Sequence, residues 1–525
     1  MVTTDVSEMD LATKVGQLFV IGFDGPELTD DLRTLLTERR CGNVVYFSRN
    51  VETPEQVATL TKRLRRLVLE EGAGVPPFVM ADQEGGVVSR LGWGTTLPSQ
   101  MCIGASADPA LARTAGETVA AELAALGINF NLAPVLDVNN NPRNPVIGVR
   151  SFGEDPALVS ELGVELAQGM QSQGVIACGK HFPGHGDTST DSHHELPVVD
   201  HDRERLEAVE FAPFRRAIEA GIDAVMTTHV SFPAIAEAPA TPATVSAAVQ
   251  RRVLRDELGF DGLLVTDGME MRAIADTIGT ADGCVRALDA GCDLLLVCHT
   301  PETQADAVDA VIDAVESGRL DERTIDAAVE RIVRYKRRRV SDSRSPSAAR
   351  WAAMADRSVE TAHAIAARGI TLVRDRDDTL PFTTDRPLRL VGSSGGRASP
   401  AEDDEFEPSL IAESLATVGF DVTCHEVADT LEEPSFDDAQ VIAAVDGVTA
   451  DESQAAAVRA LDDRATRFAA VIVRNPYDLS TVPDVSTAVV TYDYTPATRA
   501  VLGEVLVGET TPTGQLPVTV PGFEG

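Results

Sequence analysis

Lysine is nearly absent. Of 45 basic side chains in 525 residues, four are lysine (Lys14, Lys62, Lys180, Lys336), against 82 carboxylates, and the formal charge is −37. That excess of negative charge repels phosphates and excludes nucleic acid and anionic membrane surfaces as partners. Surplus carboxylate with lysine abandoned points to a halophile-like chain, in which concentrated ions screen the self-repulsion. No run of about 18 apolar residues exists, which excludes a spanning helix. The stretch Met1-Val-Thr-Thr-Asp-Val-Ser-Glu8 has neither the basic nor the apolar region of a secretory signal, so the expected location is cytoplasmic. The seven cysteines are odd in number and scattered, with no CxxC pair. Thiolate zinc and thioredoxin-like redox chemistry are thereby disfavoured, and reduced core thiols are expected.

What is present is a large potential core, since 43% of residues are hydrophobic. Short β-branched runs alternate with helix-length amphipathic stretches. The strands are expected at Gln17–Phe23, Asn43–Phe47, Pro77–Gln83, Ile128–Val138, Gly174–Phe182, Asp223–Val230, Gly262–Met269 and Cys292–Cys298. Eight strands in alternation with helices predict a closed α/β barrel of the (β/α)8, TIM-like kind. The polar stretch Arg337–Ser347 reads as a linker, followed by one helix, Ala348–Ala367. A second βα series runs through Ile370–Arg374, Leu388–Gly392, Asp421–His425, Gln440–Val445, Ala469–Arg474 and Ala488–Tyr492. It predicts a smaller doubly wound α/β sandwich domain. The expected division is a barrel over 1–340, linker and connecting helix over 341–368, and the sandwich over 369–525. Gly392–Arg397 has neither dinucleotide nor P-loop spacing and reads as a turn.

Polar residues gather at the ends of barrel strands, where such barrels build active sites. Strand three runs into Asp82-Gln-Glu-Gly-Gly86, four into Asp137, five into Lys180-His181, six into Thr228-His229 and seven into Thr266-Asp267. Five of nine histidines, His181, His185, His193, His194 and His201, fall within 21 residues rich in Gly and Pro. A metal site is the rival reading of that cluster; the cation of Lys180 beside His181 argues against it. In Asp191-Ser-His193 the carboxylate can accept from the imidazole, orient it and favour its protonated form, as a general acid requires.

These stretches resemble the family-3 glycoside hydrolases, in particular their β-N-acetylglucosaminidase (β-N-acetylhexosaminidase) branch. The resemblance is carried by Asp82–Arg90, Asn131–Asp137, Ile147–Gly153, Lys180–Thr188 with Asp191-Ser-His193, and Leu258–Asp267, in family order. Arg474-Asn-Pro-Tyr-Asp478 and Pro512–Pro521 extend it to the second domain. The resemblance implies Asp267 as nucleophile and His193, paired with Asp191, as acid/base. It implies Asp82, Arg90, Arg150, Lys180, His181, His229 and Met271 as substrate-binding residues, with no cofactor and no metal. Thr266 stands where the family usually has Ser and keeps the hydroxyl. The implied reaction is retaining removal of terminal β-linked N-acetylglucosamine, so the expected partner is a carbohydrate. Phosphorolysis by the same site, β-glucosidase activity, a metal hydrolase and a non-catalytic sugar binder are the alternatives.

Overall fold

The computed structural model describes residues 5–93, 96–192, 195–340, 345–397, 399–403, 405–427, 439–447, 452–482 and 484–523. Strands β1 (Phe19–Ile21), β2 (Asn43–Tyr46), β3 (Phe78–Ala81), β4 (Phe130–Asn131), β5 (Ile176–Phe182), β6 (Ala224–Thr227), β7 (Leu263–Gly268) and β8 (Leu294–Val297) pair in parallel and in chain order. β1 pairs with both β2 and β8, which closes the barrel. Helices of the outer ring start at built caps. Thr53, Asp108 and Asp155 accept the free first-turn N–H groups of helices Pro54–Glu70, Pro109–Leu126 and Pro156–Ser172. Each has proline in the first turn, where no N–H donor is needed.

Strand four is shorter than its sequence predicts. Pro134 has no N–H to give the ladder, and the Asn131 side chain brackets Gln83 instead, accepting from its N–H and donating to its carbonyl at 2.9 Å each. Beyond Asn131 the chain stays bonded to strand five, with the Ala133 and Pro134 carbonyls accepting from Cys178 and Lys180 N–H at 2.8 and 3.1 Å and a bridge between Val135 and Lys180. The expected helix Ala348–Ala367 is two helices, Ala348–Ala352 and Ala355–Gly369. The bend lets Trp351 meet Trp93 edge-on at 5.2 Å while the longer piece runs to the second sheet. The polar stretch read as a linker begins late: Arg337–Arg339 form the last turn of helix Glu322–Arg339, which matches the helix expected over 321–338, and cations there face unpaired carbonyls.

The second sheet contains β9 (Thr371–Asp375), β10 (Leu388–Gly392), β11 (Val422–His425), β12 (Gln440–Val445), β13 (Phe468–Ile472) and β14 (Thr487–Val490). Its order is β9-β14-β13-β12-β10-β11, parallel except for β9 at the edge. Alternate residues serve two cores, as a strand's two-residue period requires. Val441, Ala443 and Val445 join the core shared with the barrel, and Ile442 and Ala444 join the sheet's other layer. Ser99 N–H donates to Asp493 Oδ2 at 2.7 Å and Tyr477 to the Asn139 carbonyl at 3.1 Å across the junction. No helix among the described residues is long and apolar enough to cross a membrane.

Candidate active site

Two barrel strands are irregular where chemistry-bearing residues sit. Between β5 and β6 the register passes from Gly179↔Val225 to Phe182↔Thr227, so Lys180 and His181 occupy one extra residue's worth of strand. Between β7 and β8 it passes from Val265↔Leu294 to Gly268↔Leu296, with the extra residue at Thr266–Asp267. Bulges re-aim side chains and leave a ladder donor unpaired. At β7 the Thr266 hydroxyl accepts that donor, the Leu296 N–H, at 3.0 Å. This is a role that any hydroxyl side chain, serine included, could fill.

The re-aimed Lys180 is buried, with its Nζ 2.7 Å from Asp82 Oδ1 and 2.6 Å from Glu84 Oε1. Arg150 grips Glu84 with two bonds of 2.8 and 2.9 Å. Arg90 Nη2 lies 3.6 Å from Asp82 Oδ2. Burial pushes the Glu84 carboxyl up, but Arg150 and Lys180 outweigh it and hold it well below the usual range. Burial likewise opposes the charge on Lys180, and Asp82 and Glu84 raise its pKa in spite of that. Glu84 and Lys180 are therefore held in their charged forms, with charge-assisted bonds fixing each donor.

Beneath it, Asp137 organises the fifth loop. It accepts from His181 N–H at 3.2 Å, His181 Nδ1 at 2.7 Å and His185 N–H at 2.7 Å. Nδ1 thus carries the proton and Nε2 of His181 is left for the cavity. His185 Nδ1 and Nε2 meet Thr188 and Ser192 hydroxyls at 2.9 and 3.1 Å.

These residues surround a cavity of ≈340 Å³, the size class of small-molecule sites. Asp82, Arg90, Arg150, Lys180, His181, Asp267 and Met271 all line it, together with Ser192. The Asp267 carboxylate accepts from Gly268 N–H at 2.7 Å. Asp191, next to Ser192 in sequence, is buried and accepts from the Ser399 hydroxyl of the second domain at 3.4 Å. His193 and His194 lie outside the described residues. His229 does not line the cavity. It is wholly buried, with Nδ1 2.8 Å from Thr244 Oγ1 and Nε2 2.9 Å from the Gly268 carbonyl. Among the described residues no three His, Cys, Asp or Glu side chains stand together as a metal site.

Sequence reasoning missed Glu84, His185 and the second domain's share of the wall: Arg397 and Pro400–Asp403. Glu84 had a signal, since Asp82 and Glu84 alternate on an extended stretch and share one face. Asp403 had none, because Glu402-Asp-Asp-Glu405 reads as a solvated acidic run.

Residues 10–335 match the model of the glycosyl hydrolase family 3 N-terminal domain. The chain belongs to glycosyl hydrolase family 3. As a family 3 enzyme it is a glycosidase, and its barrel and sandwich recur together among its relatives. It is 30% identical to beta-hexosaminidase A of Pseudoalteromonas piscicida over 94% of this chain and 91% of that one. It is also 30% identical to a beta-N-acetylglucosaminidase/beta-glucosidase of Cellulomonas fimi, over 98% and 95%. The solved family 3 beta-N-acetylglucosaminidase from Paenibacillus sp. superposes with a TM-score of 0.89 at 40% identity, covering 98% of this chain and 99% of that one.

Proposed function

We propose that this family 3 enzyme is a retaining β-N-acetylglucosaminidase that removes terminal non-reducing β-linked N-acetylglucosamine. The observation that carries the reading is the shared wall. Asp267 and Ser192, the latter between Asp191 and His193, line one cavity with the Lys180–Glu84–Arg150 cluster. The Asp267 carboxylate attacks the anomeric carbon as the bond to the leaving oxygen breaks. His193, oriented by Asp191, donates the proton that turns that oxygen into an alcohol. Water then attacks the glycosyl ester and gives its proton to His193. The ester bond breaks, and Asp267 is freed with the sugar's configuration retained. Asp82, Arg90, Arg150, Lys180 and His181 bind the sugar hydroxyls, and Met271 closes the cavity's apolar side. His229 is reassigned: its bond to the Gly268 carbonyl makes it a positioning residue behind Asp267 instead of a sugar ligand.

The same reading takes residues 1–340 as the catalytic barrel and 369–525 as the domain that completes its wall. Six of the seven cysteines are buried and unpaired, which supports a reducing, cytoplasmic setting.

The test is turnover of an aryl β-N-acetylglucosaminide, with products followed by NMR in the presence and absence of phosphate. Wild type should release β-configured N-acetylglucosamine first, and Asp267→Ala should lose at least about a thousandfold in kcat. Near-wild-type turnover by Asp267→Ala would overturn the nucleophile assignment. A sugar phosphate as product would make the enzyme a phosphorylase. The dual-activity relative from Cellulomonas fimi favours a second, weaker activity on aryl β-glucosides, read in the same assay.

A further inference from the structure

Asp403 belongs to the second domain, yet among the described residues its hydrogen bonds all go to the barrel. It follows β10, the strand beside which the chain order of the sheet reverses, where open α/β sheets form their crevice. Its N–H donates to the Val87 carbonyl at 3.0 Å. Its Oδ2 accepts from Ser89 N–H at 2.9 Å and Arg90 Nη1 at 2.8 Å, and its Oδ1 from the Ser48 hydroxyl. Arg90 Nη1 also donates to the Ala401 carbonyl at 3.0 Å. One terminal nitrogen of Arg90 is thus wholly committed to the second domain, and the other is turned toward Asp82 and the cavity.

We propose that Asp403 is a positioning residue for sugar binding: it sets the Arg90 guanidinium, so the barrel's sugar site is complete only with the second domain in place. The proposal rests on the reading above that Arg90 binds the substrate.

The electrostatics support a local role. Asp403, Arg90, Asp82, Lys180, Glu84 and Arg150 form an unbroken file of alternating sign along the cavity wall. All six side chains are at most 15% exposed, so solvent screens the file weakly. Removing Asp403 leaves Arg90 with one neutral acceptor, the Ala401 carbonyl, and one carboxylate, Asp82, which Lys180 already holds. A guanidinium held by fewer bonds is freer to rotate about its flexible stem, and fixing it for a sugar costs side-chain entropy. In a chain of −37, deleting a carboxylate should relieve long-range repulsion. A loss of function on deletion therefore has to arise from the local bonds.

Asp403 also lines the cavity, so direct contact with sugar is the rival, and simple docking of the two domains is another. A double-mutant cycle separates them. KM and kcat for an aryl β-N-acetylglucosaminide are measured on wild type, Asp403→Ala, Arg90→Ala and the double variant of the full chain. Thermal midpoints are recorded alongside. Asp403→Ala should raise KM about tenfold with kcat changed less than about threefold, and the double variant should be no worse than Arg90→Ala. Asp403→Glu should recover part of the loss. If Asp403→Ala costs the same factor in the Arg90→Ala background, Asp403 acts directly or through docking and the proposal falls. It falls equally if Asp403→Ala matches wild type. Should Asp403→Ala unfold, Asp403→Asn, which keeps the shape and removes the charge that faces Arg90, carries the same cycle. A wild type inert toward N-acetylglucosaminides but active on another aryl glycoside overturns the function reading; the cycle on that glycoside still judges Asp403.

Discussion

Two lysines, both buried, show how local partners decide charge. Lys180 sits between two carboxylates and stays protonated, whereas Lys336 at the barrel's other end meets Gln17 Oε1 at 2.7 Å and lies 5.1 Å over the Phe78 ring. Burial drives Lys336 well below the usual lysine range. His185 is the corresponding case among the imidazoles. Burial first, and then the neighbouring His181, lowers it from 6.5 to about 4. It is neutral in the folded protein at pH 7. Between pH 6.5 and 4 the unfolded chain takes up a proton that the folded protein refuses. The contribution of His185 to stability therefore falls as pH drops through that window, by about 3 kcal/mol. Glu84 and Asp137, whose carboxyls are lowered by their cationic neighbours, add losses only at still lower pH. Denaturant unfolding from pH 7.5 to 4.5 should show the slope, and His185→Asn should flatten it above pH 4.5. An unchanged slope in the variant would refute this origin. His185 was visible in the sequence as one of a histidine cluster. Its role was not, because whether an imidazole is dry and faced by Thr188 and Ser192 depends on how the loop folds back over β5.

At the scale of elements, the barrel was legible because parallel strands buried on both faces read as apolar runs between amphipathic helices. What pattern could not show was the bulges at Lys180 and Thr266, which depend on the neighbouring strand's register. Nor could it show the helix crossings. Helices Pro109–Leu126 and Pro156–Ser172 touch at reciprocal glycines. A Cβ on Gly116 would lie 2.1 Å from the Leu166 carbonyl oxygen, and one on Gly169 would lie 2.3 Å from that of Arg113. Helix propensity alone would favour alanine by about 1 kcal/mol at either site. The backbone cannot yield that much without separating the helices, so overpacking wins. Gly116→Ala and Gly169→Ala should each destabilise by about 1–3 kcal/mol in denaturant unfolding. Gly92→Ala, with open space around its Cβ, is the control. A neutral or stabilising result at Gly116 would mean that the helices part freely.

At the scale of the molecule, composition announced the charge but not its distribution. An acidic run such as Glu402–Glu405 carries no sign of a buried member, and only the packing of two domains turns Asp403 inward, so the second domain's part in the site was illegible. Outside the site, most ion pairs are half-exposed, as at Arg33–Glu71 and Arg216–Glu219, and are worth at most about 1 kcal/mol each. They are far too few to offset a net charge of −37. Self-repulsion therefore opposes the compact state at low salt. The screening length shrinks from about 10 Å at 0.1 M to about 3 Å at 1 M, which removes repulsion between surface carboxylates spaced further apart than a few ångströms. The sheltered file from Asp403 to Arg150 should be almost indifferent to the same change. The thermal midpoint should therefore rise steadily from 0.1 toward about 2 M KCl, while KM for an aryl β-N-acetylglucosaminide, read well below that midpoint, changes less than about threefold. A midpoint that stays flat or falls would show that the surplus carboxylates do not govern the fold's stability. A KM that climbs steeply with salt would show that the sugar site is wetter and more loosely held than its bonds imply.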